Sequence, residues 1–435
     1  MEKCDGVKGM VGLGVLAMVA CSVPAQNSLS CGPGTLQIGA QCLPLDAGLA
    51  ALPPDARVFT DASVALDAPP DAPRIDAPWD AGVHGDEATS FSIDPAHDNA
   101  QPTDSVTSPL APLWTATFHG HVSFPLVVGG LVIVAANEPE PNVRALDLQT
   151  GALVWGPIAF TFAVTLTYDR GTVFALDKSG NLAALDATTG EQVWIESVPN
   201  PDNEVDYFAP PVASGGLVFI NSLEHGGSTV AIEEVTGGLV WNNHTFDGSW
   251  GSVAVADNTV YESEEVNRVT AWNAQTGAQL WEHLAMGDGC CGEAPAVYEN
   301  LIWDHDITFG SLILENGAGG TVGSFVSDTL PAFDAGTAFY ESKGTVSAVD
   351  IATSAVRWSF TGDGKICTAP VVAGGGAQVL VGSQSGNVYE LDEATGSQRS
   401  VANVGAAVTC FSETDSMALA ENHLVVPVGN QLVVF

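Results

Sequence analysis

Basic residues are the scarcest class in this chain: 12 Lys and Arg stand against 51 Asp and Glu over 435 residues, for a formal net charge of -39. A surface this acidic repels phosphate backbones and anionic lipid headgroups, which sets nucleic acid aside as a partner and leaves divalent cations and basic partners open. Long apolar runs are missing too. The one near the N-terminus, Met10 to Ala20, is too short to span a bilayer. No segment sustains a 3.6-residue periodicity, so an all-helical fold is excluded. The chain holds 8 cysteines but lacks the CxxC spacing of a zinc site. No EF-hand spacing occurs, and no Ser, His and Asp can be placed as a triad.

What is present begins with an export signal over residues 1–20, where Lys3 and Lys8 precede the apolar run. Leu16-Ala17-Met18-Val19-Ala20-Cys21 resembles a bacterial lipobox, which implies lipidation of Cys21. Ser22 in place of Asp resembles lipoproteins sent to the outer membrane. The alternative is signal-peptidase cleavage after Ala25, in Val23-Pro24-Ala25. Residues 21–42 carry a short Gly-rich segment between Cys31 and Cys42, read as a small disulfide loop. Residues 43–112 are rich in Asp-Ala-Pro, as in Asp67-Ala-Pro-Pro-Asp-Ala-Pro. That composition buries too little apolar surface to offset ordering entropy, so a disordered tether is expected.

From Trp114 the texture changes to short Val, Leu and Ile runs punctuated by Gly, Asn and Asp, the pattern of strands and hairpins. One phrase recurs about every 40 residues, cleanest as Ala184-Leu-Asp-Ala-Thr-Thr-Gly-Glu-Gln-Val-Trp194. Its Trp stands at 155, 194, 241, 281 and 358, and Trp114 precedes the series. The gap before Trp358 holds two repeats if Ile313 to Gly323 is a worn copy with Gly323 in the Trp place; Ser400 takes that place in the next copy. Pro125, Pro211, Pro295, Pro331 and Pro370 mark the starts of innermost strands, where a missing N–H is tolerated. The last unit stops one strand short at Phe435, and Leu113 to Thr117 supplies a fourth strand with nothing before it. The expected fold is all-β: an eight-bladed propeller of four-stranded antiparallel blades over 113–435, closed by the strand near Trp114.

The phrase and its tryptophan resemble the repeat of the pyrroloquinoline-quinone-type β-propellers. The resemblance implies that Trp114, Trp155, Trp194, Trp241, Trp281 and Trp358 dock neighbouring blades. Asp and Thr would cap the turn, and Gly would take a conformation closed to other residues. The family has a branch of quinone-dependent alcohol dehydrogenases and a branch of non-catalytic lipoproteins that includes the propeller of the outer-membrane assembly machinery. Export signal, lipobox, blade count and absence of extra domains are similar to the second. The implied function is a non-catalytic exported lipoprotein at the outer membrane, monomeric and held only by its lipid, whose rim binds an envelope protein or extracellular ligand with no cofactor.

The alternative is an oxidoreductase using pyrroloquinoline quinone and Ca²⁺, and it rests on Cys290-Cys291. In the dehydrogenase branch an adjacent pair closes a strained disulfide ring beside the cofactor; otherwise such a pair simply rigidifies a turn. Cys367 and Cys410 occupy corresponding loops of adjacent units, and a bridge between them is open. The loops leading into first strands and joining second to third strands share a rim. They gather the acidic residues Asp202, Glu204, Asp206, Glu224, Glu262, Glu264 and Glu265 with His225. Asp304, His305 and Asp306 form the densest fragment, a candidate metal site if not a solvated acidic rim. Only Arg144, Arg170, Lys178, Arg268, Lys343, Arg357, Lys365 and Arg399 could hold the quinone carboxylates.

Overall fold

Each copy of the repeat phrase folds into a cross-linked turn. In Asp147-Leu-Gln-Thr150-Gly151 the Asp147 carboxylate accepts the Thr150 N–H at 2.8 Å and the Thr150 hydroxyl at 2.6 Å. Gly151 donates its N–H to the Asp147 carbonyl at 2.8 Å with φ at 69°, a conformation that disfavours any side chain. The same bonds recur at Asp186–Thr189, Asp350–Thr353 and Asp392–Thr395. Hydrogen bonds from Thr353, helped by Arg357, hold Asp350 down at about 2. These local bonds set the register of the hairpin that follows.

The computed structural model describes residues 35–38, 41–44 and 86–435, apart from the loops 138–140, 200–206, 223–226, 246–250, 265–267, 285–292, 307–309 and 411–415. Residues 1–75 form a unit of their own, in which Thr35–Ile38 pairs antiparallel with Gln41–Pro44. In the second unit the chain winds into eight antiparallel blades. Their innermost strands are Leu126–Val128, Val164–Asp169, Val212–Ser214, Ala254–Ala256, Ala296–Tyr298, Ala332–Asp334, Val371–Ala373 and Ala418–Ala420, blades 1 to 8 in order. Pro125, Pro211, Pro295, Pro331 and Pro370 each stand directly before one of them. Trp114–Thr117 is the fourth strand of blade 8, with Trp114 opposite Val434 and Thr117 opposite Gln431. Sheet closure of this kind removes an exposed pairing edge. Among the described residues no helix is long and apolar enough to cross a membrane.

Six of the eight blade interfaces share a single repeated contact. The Trp on the outer strand of one blade lies flat against the turn Gly of the next and donates Nε1–H to the carbonyl three residues before that Gly. Trp241, for example, bonds the Ala274 carbonyl at 2.8 Å, and a Cβ added to Gly277 would stand 2.7 Å from its ring. Trp155 with Gly190, Trp194 with Gly237, Trp281 with Gly319, Trp358 with Gly396 and Trp114 with Gly151 repeat the arrangement. Glycine is required twice over, for its positive φ and because any Cβ would strike the indole.

Two interfaces lack the Trp, and both also lack its Gly. Gly323 of blade 5 faces blade 6, where Ser354 takes the turn position at φ 57°. An aromatic cluster fills that interface instead: Tyr298 stacks on Phe333 at 4.8 Å, and Trp303 packs on Phe333 at 5.0 Å and on Phe325 at 5.6 Å. Between blades 7 and 8, Ser400 replaces the Trp, and no turn joins the third and fourth strands of blade 8. Here Cys367 and Cys410 form a disulfide with a Cα separation of 5.5 Å.

Removing one dock therefore has a defined cost. Trp241→Ala should lower the free energy of unfolding by about 3–5 kcal/mol. Gly277→Ala should cost more than about 1 kcal/mol from φ alone, whereas Ser354→Gly, with no indole above it, should cost nothing. Equilibrium denaturation of the three variants checks the ranking, and equal losses at Gly277 and Ser354 would contradict it.

Candidate functional site

A propeller's inner strands are the inner edges of its sheets, and their outward N–H groups face the axis and need acceptors. In this chain residues 86–101, which thread the channel as a strap, supply acceptors to six of the eight inner strands. Ala88 and Val127 exchange both backbone bonds at 2.9 Å. The carbonyls of Thr89, Pro95, Ala96, Asp98 and Asn99 then accept from Tyr168, Val255, Val297, Phe333 and Val372 at 2.6–3.1 Å, in blades 2, 4, 5, 6 and 7, while in blade 3 the Ala213 N–H goes to Thr167 Oγ1 at 3.0 Å. Ala100–Gln101 adds to the inner strand of blade 7 in parallel. Positive φ at Ser92, Ile93, His97 and Asn99 bends the strap around the axis. His97 pairs its Nδ1 with the Pro295 carbonyl at 2.9 Å, and Asn99 donates Nδ2–H to the Pro331 carbonyl at 3.0 Å. The imidazole is fully buried, and burial pulls it down to about 4.

Residues 106–110 carry the strap outward along blade 7. Val106 and Gln378 bond reciprocally at 2.9 and 2.8 Å, Ser108 donates to Glu390 at 2.8 Å, and the Leu110 N–H reaches Ser400 Oγ at 3.0 Å. The tether expected over 43–112 is thus corrected in its last part, because residues 86–112 belong to the propeller. Phe91, Ile93, Val106 and Leu110 are buried there and offset the ordering cost. The rest of the tether call, residues 45–85, lies outside the described residues. So do the signal peptide, Cys21, Cys31, Cys290 and Cys291. Cys42 falls within the strand Gln41–Pro44.

The described residues of the axis do not fit a quinone tricarboxylate. The innermost strands contain no Lys or Arg, and the strap brings Asp94 and Asp98 into the channel. Burial raises Asp94 to about 6 and Asp98 well above the ordinary carboxyl range. Among the described residues no three His, Cys, Asp or Glu side chains come together to hold a metal ion. Four of the eight basic groups named above are committed elsewhere: Arg268 to Glu264 and Glu282, Arg357 to Asp350, Arg399 to Asp392 and Arg170 to Asp169.

The expected acidic rim is also corrected. Glu262 and Asp304 are 0% exposed, and Glu264 and Asp306 are buried. The register explains why they stand out: Tyr261 and Trp303 pair with Ala254 and Ala296 as Phe219 and Phe339 pair with Val212 and Ala332. The next residue is Glu262 or Asp304 in blades 4 and 5, and Ile220 or Tyr340 in blades 3 and 6. Two blades thus carry an acid where their neighbours are apolar or aromatic. Glu262 Oε2 accepts from Trp272 Nε1 at 3.2 Å and Asp304 Oδ1 accepts from Ser263 at 2.6 Å, while Glu262 Oε1 and Asp304 Oδ2 have no partner. His305 binds Glu293 through Nδ1 and donates Nε2–H to the Ser327 carbonyl at 3.1 Å. Burial alone would lower His305, but Glu293 overrides it and the net shift is upward. Asp304, His305 and Asp306 therefore do not converge as a metal site; Asp306 offers its N–H to Ser311 Oγ at 3.2 Å. Asp202, Glu204, Asp206, Glu224, His225 and Glu265 lie outside the described residues. The strap was missed because Asp-Ala-Pro texture masked it. A signal was present in Thr89-Ser-Phe-Ser-Ile93, a short apolar and β-branched stretch where that texture stops.

The buried acids set a pH dependence. Desolvation, with Glu264 nearby, raises Glu262 from 4.5 to about 8, and desolvation raises Asp304 from 3.8 to about 7. A carboxyl raised on folding stabilises below its unfolded value and loses that contribution as pH climbs through the folded value. His97, depressed from 6.5 to about 4, has the opposite sign and loses its contribution as pH falls below 6.5. Thermal stability should therefore peak in mild acid and fall between about pH 5 and pH 9. Glu262→Gln with Asp304→Asn should flatten the alkaline fall; an unchanged slope would contradict the assignment.

Similar proteins come from both branches of the propeller family. Over 109 residues the chain is 34% identical to methanol dehydrogenase [cytochrome c] subunit 1 of Paracoccus denitrificans, covering 20% of this chain and 17% of that protein. Over 167 residues it is 28% identical to outer membrane protein assembly factor BamB of Nitrosomonas eutropha, covering 35% of this chain and 39% of that protein. The chain thus spans well under half the length of either relative. The solved structure of BamB from Moraxella catarrhalis superposes with a TM-score of 0.60 at 20% identity, over 75% of this chain and 99% of that one, a likeness of fold. The family described as outer membrane protein assembly factor BamB matches residues 60–283 and 300–435, the greater part of the sequence, and the chain belongs to that family of pyrroloquinoline-quinone-type propellers.

Proposed function

We propose that this chain is a non-catalytic exported lipoprotein, anchored through Cys21 at the outer membrane, whose propeller docks a protein or ligand of the cell envelope. The observation that carries this reading is the strap, because the axis of the ring is taken up by the chain's own backbone and work is left to the periphery. The periphery is suited to it. Outer strands expose Val193, Val322 and Val356 at 62%, 58% and 63% on sheet edges whose free N–H and C=O groups can pair with an extended segment. The net charge favours a basic partner and speeds its encounter. A second reading, a quinone-dependent oxidoreductase, is favoured by the stretch similar to methanol dehydrogenase and by Cys290-Cys291.

Three measurements separate these readings. Fatty-acid labelling should mark the wild type and not Cys21→Ser; equal labelling would remove the anchor. A photo-crosslinker at Val193, Val322 or Val356 in cells should give a discrete adduct with an envelope protein. Added pyrroloquinoline quinone and Ca²⁺ should leave the purified protein colourless after desalting. A stoichiometric chromophore, with no adduct at any of the three positions, would overturn the docking reading in favour of the oxidoreductase.

A further inference from the structure

The carbonyls that accept the docking tryptophans belong to Leu148, Ala187, Glu234, Ala274, Asn316 and Glu393. Two of the six are acids, and each faces an acid. The inner hairpin of the preceding blade closes at Asp169 opposite Glu234 and at Asp334 opposite Glu393. In the other four interfaces that hairpin closes at Ala420, Val128, Ser214 or Ala256. The acids thus occur together or not at all, as the docking Trp and its Gly do.

The pair between blades 2 and 3 is the more deeply placed. Asp169 is 3% exposed and Glu234 is 9% exposed. Glu234 is fixed through its backbone, with its N–H on the Gly216 carbonyl at 3.1 Å and its carbonyl under Trp194 Nε1 at 2.9 Å. Arg170 donates Nε–H to Asp169 Oδ2 at 3.1 Å and lies over Gly216, where an added Cβ would stand 3.5 Å from the guanidinium. Glu234 Oε1 is buried with no donor to serve it, and the group within hydrogen-bonding reach of that carboxyl is the carboxyl of Asp169. Two carboxylates only accept, so a bond between them requires that one keep its proton. Asp169, already bonded to Arg170, is the anionic member. Glu233 in the same turn, and Glu87 and Tyr168 beside Asp169, are the further titratable groups around the pair. Burial first, then Asp169, raises Glu234 from 4.5 to about 9. Glu393 is raised as well, by burial and then by Asp334, with Asp392 and Arg399 nearby. Two carboxyls, one of them on an arginine, are too small a donor set for a divalent cation.

We infer that one proton shared by Glu234 and Asp169 holds the seam between blades 2 and 3 shut, and that its release loosens the Trp194 dock, which makes this seam a pH-sensitive lock. The lock would serve a scaffold or an enzyme alike, so it does not rest on the docking reading. A carboxyl raised on folding contributes fully below its unfolded value and loses that contribution as pH climbs through the folded one. Three measurements on the full-length chain test the lock. Infrared difference spectra at about pH 7, wild type minus Glu234→Gln, should show the C=O band of a protonated carboxyl. That band should titrate at least about one pH unit lower in Asp169→Asn, where the like charge is gone. Pulsed hydrogen exchange, corrected for the chemical rate, should show protection of the Glu234 and Gly237 amides falling at least about tenfold between about pH 6 and pH 10 in the wild type and holding in Glu234→Gln. If Glu234→Gln does not fold, Glu234→Ala, which places there the residue of blades 2 and 4, carries the same readouts. The inference is overturned if the band is missing from the difference spectrum, if its midpoint is unmoved in Asp169→Asn, or if the amides of wild type and variant respond to pH alike. It is also overturned, in favour of a cation site, if Ca²⁺ added at alkaline pH binds the wild type stoichiometrically and Glu234→Gln does not bind it.

Discussion

The propeller depends on an indole laid against a glycine. Each Trp buries a large apolar face and satisfies its one donor on the neighbouring blade, so a single side chain supplies both adhesion and register. Because the acceptor turn is built by Asp and Thr three residues apart and finished by Gly at positive φ, the docking surface is complete before the neighbour arrives. The pairing is strict enough that loss on one side coincides with loss on the other. Gly323 faces Ser354, and Ser400 faces a blade without the turn. At these two places other contacts take over, aromatic stacking around Trp303 in one and the Cys367–Cys410 bridge with the outgoing strap in the other.

A ring of inner strands leaves its own difficulty at the centre, since every innermost strand presents edge N–H groups to the axis. The strap answers it with carbonyls placed on six of the eight blades, and the buried side chains Phe91 and Ile93 hold it there. This arrangement ties three parts of the chain together. The segment that fills the channel continues into the seam between blades 7 and 8 and then becomes the outer strand of blade 8. Channel, seam and ring closure are therefore one continuous stretch of backbone, residues 86–117.

Most of the fold was legible in the sequence because the repeat writes the same physics several times over. The Trp spacing, the leading prolines and the orphan strand at Trp114 gave blade count and closure without any contact information. The strap was not legible, because its bonds to the blades are backbone bonds and leave almost no trace in residue type. Burial of Glu262 and Asp304 was hidden for a related reason: an acid at a strand position reads as solvated until the register shows its neighbours in other blades to be Ile220 and Tyr340.

The central claim is that residues 86–105 are an integral strap of the channel and not a tether. Hydrogen–deuterium exchange followed by mass spectrometry on the intact chain tests it most directly. The account predicts that peptides covering Ala88 to Gln101, and the inner strands at Val255, Val297, Phe333 and Val372, exchange together and only through large-scale opening of the ring. Exchange of residues 88–101 at the rate of an unstructured peptide, with the inner strands still protected, would contradict it.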